Sequence, residues 1–70
     1  MFSWFKRGAQ FLGYESREVS KDAYELTIRM PDGSELVERF SDPTALHNRQ
    51  VILEREWAAD GWTGPHGWNL

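Results

Sequence analysis

Three side chains carry the types that chemistry would need: Glu38, His47 and His66. Glu38 lies in the run 34–40, where alternation turns it to the same side as Leu36 and Phe40. A carboxylate on a dry face has its pKa raised by desolvation, as general bases do. The preferred reading is structural: an inward charge on an edge strand discourages edge-to-edge pairing, and Glu38 snorkels or meets Arg49 or His47. His47 and His66 are the only imidazoles, and with Asp60 or Glu56 they could frame a metal site. Their positions lack the close spacing of known sites, such as two His four residues apart on a helix. No nucleophile elbow is present, and the glycines are scattered rather than gathered into a phosphate-binding loop. The expectation is therefore no catalytic, cofactor-binding or metal-binding residue, no cofactor, and no enzyme.

The elements that hold these groups begin with a hairpin over residues 23–41. Tyr24, Leu26, Ile28 and Met30 alternate with Glu25, Thr27 and Arg29, the period of a strand with one dry face. Pro31-Asp32-Gly33 supplies the preset φ, the local acceptor and the positive φ that a turn requires. A two-residue loop at Asp32-Gly33 would set Leu26 against Arg39 and Glu25 against Phe40. A three-residue loop with a bulge at Gly33 instead pairs Ile28 with Leu36, Tyr24 with Phe40, Arg29 with Glu35 and Glu25 with Arg39. It is chosen because a one-residue slip would turn the apolar set outward. Tyr14–Val19 reads as a weaker third strand; a turn at Ser20-Lys21-Asp22 would pair Arg17 with Glu25, but puts Ser16 and Glu18 on the apolar side.

Asp42 and Pro43 open a helix as N-cap and first helical residue, and Gly61 ends it. Leu46, Gln50, Leu53 and Trp57 form a stripe for the dry face of the hairpin. If Gly61 is left-handed, Trp62 falls over Trp57 in a Schellman cap. Near the N-terminus Trp4, Gly8, Phe11 and Leu12 fall at helical spacing, giving a short docked segment; Gly64, Pro65 and Gly67 make the C-terminus an extended tail. The fold expected is one α+β domain over residues 1–70. It has a two- or three-stranded antiparallel sheet on the central hairpin 23–41, one long helix at about 43–60, a short N-terminal helical or irregular segment and an extended C-terminal tail.

Seventy residues bury only about 60% of their unfolded surface. There is no Cys to add a disulfide, but four Trp, four Phe and two Tyr supply apolar bulk. The net charge of −3, and a charged sheet face read as free of aromatics, argue against nucleic acid. No apolar run reaches membrane-span or signal-peptide length, and a cytoplasmic setting is expected. Val51, Ile52, Ala58 and Ala59 stand apart from the core stripe, so either the N-terminal aromatics wrap behind the helix or a second copy packs there. The leading functional expectation is a small non-catalytic interaction module that binds a protein partner or itself as a homodimer. Its partner surface is read as Val51, Ile52, Arg55, Ala59, Trp4, Trp62 and Trp68. The alternatives are a peripheral membrane protein anchored by Phe2–Arg7, with its Phe/Trp and Lys/Arg side chains, and a small ligand- or metal-binding protein using His47, His66 and Glu38.

Overall fold

The structure is a computed structural model that describes residues 2–67. The central hairpin forms as its alternation requires. Strand β3 (Ala23–Arg29) pairs with β4 (Glu35–Phe40), setting Tyr24 opposite Phe40, Leu26 opposite Glu38, Ile28 opposite Leu36 and Arg29 opposite Glu35. Met30 donates its amide to the Ser34 carbonyl at 2.9 Å, and Asp32 Oδ1 accepts from the Ser34 amide at 2.9 Å, which closes the three-residue loop.

The sheet is larger than two or three strands. It has five, all antiparallel, in the order β4-β3-β2-β1-β5. The third strand is β2 (Gln10–Ser20), with Arg17 opposite Glu25 and Tyr14 opposite Ile28. It runs its full length despite Ser16 and Glu18; its pairing with β3 shifts at a bulge between Glu18 and Ser20 and resumes with Ser20 opposite Ala23. The N-terminal segment is not helical. Phe2–Arg7 is a strand, β1, joined to β2 across Gly8-Ala9. The tail is extended but also paired: Thr63–Gly67 forms β5 beside β1.

The helix α1 (Pro43–Ala59) starts where Asp42 accepts the Thr44 amide at 2.9 Å, with Pro43 in the first turn. It ends in a full Schellman motif. Gly61 adopts φ 90°, Gly61 donates to the Ala58 carbonyl at 3.2 Å, and Trp62 donates to the Trp57 carbonyl at 3.0 Å. Arg7 fastens the same corner. Its guanidinium reaches the Asp60 carbonyl and carboxylate, both at 2.9 Å, and lies 4.5 Å from the Trp62 ring centre.

The core lies between the helix and one face of the sheet. Phe5, Leu12, Tyr14, Leu26 and Ile28 meet Leu53, Trp57 and Trp62, with Phe40 and Leu46 at the margin. Burying each large side chain is worth about 1.5–3 kcal/mol. The Phe5 ring meets Trp57 edge-on at 5.0 Å, so the first strand is part of this core and does not wrap behind the helix. Among the described residues no helix is long and apolar enough to cross a membrane.

Gly13 fixes how closely β1 and β2 approach. A Cβ there would stand 2.5 Å from the Ser3 carbonyl oxygen and 3.2 Å from Trp4 Cα. Both obstacles are backbone, so the strands themselves must move. Gly13→Ala is expected to destabilise the chain by about 1–3 kcal/mol, the usual range for overpacking. A denaturant melt measures it, and an unchanged midpoint would contradict the close approach.

Candidate functional site

Among the described residues the helix covers one face of the sheet and leaves the other open. Alternation along β1 sends Ser3 and Phe5 into the core, both at most 3% exposed, and turns Phe2, Trp4 and Lys6 outward. In register with them on β2 stand Glu15, Gly13 and Phe11, and Gly13 is in turn opposite Arg29 on β3. Gly13 has no side chain to fill the row between Trp4 and Arg29. The result is a groove of about 440 Å³, lined by Phe2, Trp4, Phe11, Gly13, Arg29 and Met30 among others.

The walls of this groove are aromatic. Trp4 stacks on His66 of β5 at 4.4 Å between ring centres, with 28° between planes, and meets Phe11 at 5.7 Å. Lys6 Nζ lies 5.9 Å from the Phe11 ring centre. Phe11 is 53% exposed and Met30 41% exposed. The charges of the face stand toward β3 and β4 and are largely matched. Arg29 Nε is 3.3 Å from Glu35, while Glu25 sits between Arg17 at 3.4 Å and Arg39 at 3.1 Å. Exposed pairs of this kind are each worth about 0–1 kcal/mol.

The described residues among those read from the sequence as partner-binding lie in different parts of the fold. Val51 is half-buried and Ile52, Arg55 and Ala59 are exposed on the outer side of α1. Trp4 stands on the opposite side of the molecule, in the groove. Trp62 is 6% exposed within the core. Trp68 lies outside the described residues. A helical or irregular reading of the N-terminal segment hides the aromatic character of the sheet's open face. As a strand, β1 places Phe2 and Trp4 at a two-residue period on that face.

Glu38 does point to the helix side, and Arg49 reaches it from α1. The guanidinium donates twice, at 2.8 and 3.1 Å, and this pairing raises the Arg49 pKa further above its ordinary value. His47 stands exposed in the first turns of the helix and His66 stacks on Trp4 from β5, so Glu38 and the two imidazoles are not brought together. Among the described residues no three His, Asp or Glu side chains gather as metal ligands would.

A second polar tie joins sheet to helix. Tyr14 donates its hydroxyl to Glu54 Oε1 at 2.6 Å. Burial, then the hydrogen bond to Glu54, push the phenol up to about 12; the Ser3 hydroxyl works the other way and the Glu54 charge adds to the rise. No protein family, curated protein or solved structure matches this chain.

Tyr14 gives the fold a defined alkaline limit. In the unfolded chain the phenol ionises at its ordinary 10.0, in the folded one at about 12. Stability from the protonated phenol is therefore complete below pH 10 and falls as the pH rises toward 12. Tyr14→Phe should cost about 1 kcal/mol near neutrality, by stranding Glu54, and should lose less than the parent above pH 10. Parallel melting curves across that range test this; identical alkaline losses would exclude it.

Proposed function

We propose that this chain is a small non-catalytic interaction module whose open sheet face takes an extended segment of a partner protein bearing a bulky apolar side chain. The observation that carries this reading is the groove. Its volume of about 440 Å³ suits one or two large side chains, and Trp4, Phe2, Phe11 and Met30 present them with apolar surface. Aromatic residues, Met and Arg are the types enriched where proteins meet, and Trp and Arg most often dominate the binding energy. Arg29 also lines the groove, its guanidinium held by Glu35 at 3.3 Å, so its methylenes add to the apolar wall. The wall is held in place before any partner arrives, because Trp4 is braced by His66 on one side and Phe11 on the other. Such preorganisation lowers the cost of binding.

Single-stranded nucleic acid is the competing occupant of an aromatic sheet face. The charge pattern disfavours it. Arg17, Arg29 and Arg39 are each engaged by a carboxylate, and the chain carries a net charge of −3.

Selection from a displayed library of random peptides tests the proposal. The parent chain should enrich sequences with an aromatic or large aliphatic residue, and a selected peptide should shift the amide resonances of β1 and Phe11. Trp4→Ser should weaken that peptide at least about tenfold while the fold persists, since hot-spot truncations cost about 2 kcal/mol or more. Enrichment that maps to the outer side of α1, or a mixed-sequence DNA strand displacing the peptide from the groove, would overturn it.

A further inference from the structure

The two edges of the sheet are unequal. Among the described residues β5 offers five, and it includes Gly64, Gly67 and Pro65, which has no N–H to donate. It is a blunted edge. β4 offers six residues, Glu-Leu-Val-Glu-Arg-Phe, with neither Pro nor Gly. Its outward backbone groups can be assigned. Met30 bonds Ser34, and hydrogen-bonded pairs alternate along an antiparallel ladder, so Leu36, Glu38 and Phe40 turn their amides to β3. Glu35, Val37 and Arg39 turn theirs to solvent.

We propose that β4 pairs antiparallel with β4 of a second copy of this chain, centred on Val37, to make one continuous ten-stranded sheet. The argument is charge complementarity at a fixed register. With Val37 opposite Val37, Glu35 of each copy faces Arg39 of the other. These are the three residues whose backbone groups point outward, so the same register satisfies side chains and main chain together. The open face already carries a row of alternating sign, Arg17 to Glu25 to Arg39, at 3.4 and 3.1 Å. The second copy extends it with its own Glu35 and then its Arg29, which are paired at 3.3 Å. No sign repeats along the row.

Neighbouring registers fail this test. Centring on Glu38 sets that carboxylate against its own copy. Centring on Leu36 leaves Glu35 beside Val37 and Arg39 with no carboxylate opposite. The chosen register also covers two apolar side chains that the single chain leaves in water, Val37 at 49% and Leu36 at 54% exposure. Leu36 comes to lie beside Glu38 of the second copy. That charge does not guard the edge, because Arg49 holds it with two hydrogen bonds and leaves its methylenes to pack.

The test is sedimentation over micromolar to millimolar chain, where the 8.2 kDa monomer should give way to a species of twice that mass. Glu35→Arg and Arg39→Glu should each weaken self-association about tenfold or more, since each sets two like-charged pairs in the homodimer. An equimolar mixture of the two variants should recover it, because the mixed pair restores both attractions. Amide exchange of the unaltered chain provides a check that needs no variant: the Glu35, Val37 and Arg39 amides should slow with concentration while those of β5 do not. Trp4→Ser should dimerise like the parent, which separates this interface from the groove. A strict monomer throughout, concentration-independent exchange at Val37, or a dimer that Ile52→Glu disrupts and the charge exchange does not, would each overturn the proposal.

Discussion

One helix can cover one face of a sheet, and the described residues form one helix for five strands. The rest of the architecture follows from how that cover is shared. Trp57 sits where it can reach both Phe5 and Tyr14, at 5.0 and 6.2 Å between ring centres, and so draws the first two strands under the helix that follows the fourth. Were the helix to serve the β3–β4 hairpin alone, β1 would have nothing to bury Phe5 against. Because the helix crosses toward β5, its two ends are fastened differently. Near the start the Glu38–Arg49 pair ties it to β4; at the far end Arg7 clasps the last turn.

The opposite face is left without cover by the same arithmetic of elements. A small chain cannot build a second layer, so its surplus aromatics stand in solvent or in wait for another surface. Here they are not scattered. Phe2, Trp4, Phe11 and His66 come from three strands that only the five-stranded order makes neighbours, and Gly13 withholds the side chain that would have filled the space among them. Two polar ties, Tyr14–Glu54 and Arg49–Glu38, join sheet to helix, and the ion pairs of the open face gather on β2, β3 and β4. The groove end is free of buried unsatisfied side-chain atoms, as are the other described residues.

The sequence was legible where one face is wet and the other dry. In β3 and β4 that contrast is clean, and the register, the turn and the Glu25–Arg39 and Arg29–Glu35 pairs could all be read from it. The helix was equally plain, from its Asp42-Pro43 start to the Gly61-Trp62 cap. β1 was illegible for a physical reason. Phe5 and Leu12 face the core while Phe2, Trp4 and Phe11 face the groove, so apolar residues occupy both sides and alternation disappears. A strand that is apolar on both faces and a short helix look alike by period alone. The surviving signal was Gly8-Ala9, a two-residue connection with Gly in its first position, φ 61°, as a hairpin turn of the type II′ kind uses. The groove went unread with it, since no residue of β1 could be assigned to a face. β5 was hidden by Gly64 and Pro65, which argue against a strand interior but are admissible on an edge.

The pairing of β1 with β5 has a kinetic meaning. Thr63 donates its hydroxyl to the Lys6 carbonyl across 57 residues of chain. Closing a loop of that length costs roughly 3–4 kcal/mol in chain entropy beyond a constant term. The meanders β1–β2–β3–β4 close over short turns and can assemble locally, but β5 has no partner until the helix has brought residue 62 back to the first strand. On loop-closure entropy alone, this ladder is expected to form after the others and to open before them, an ordered hem that frays before the cloth does.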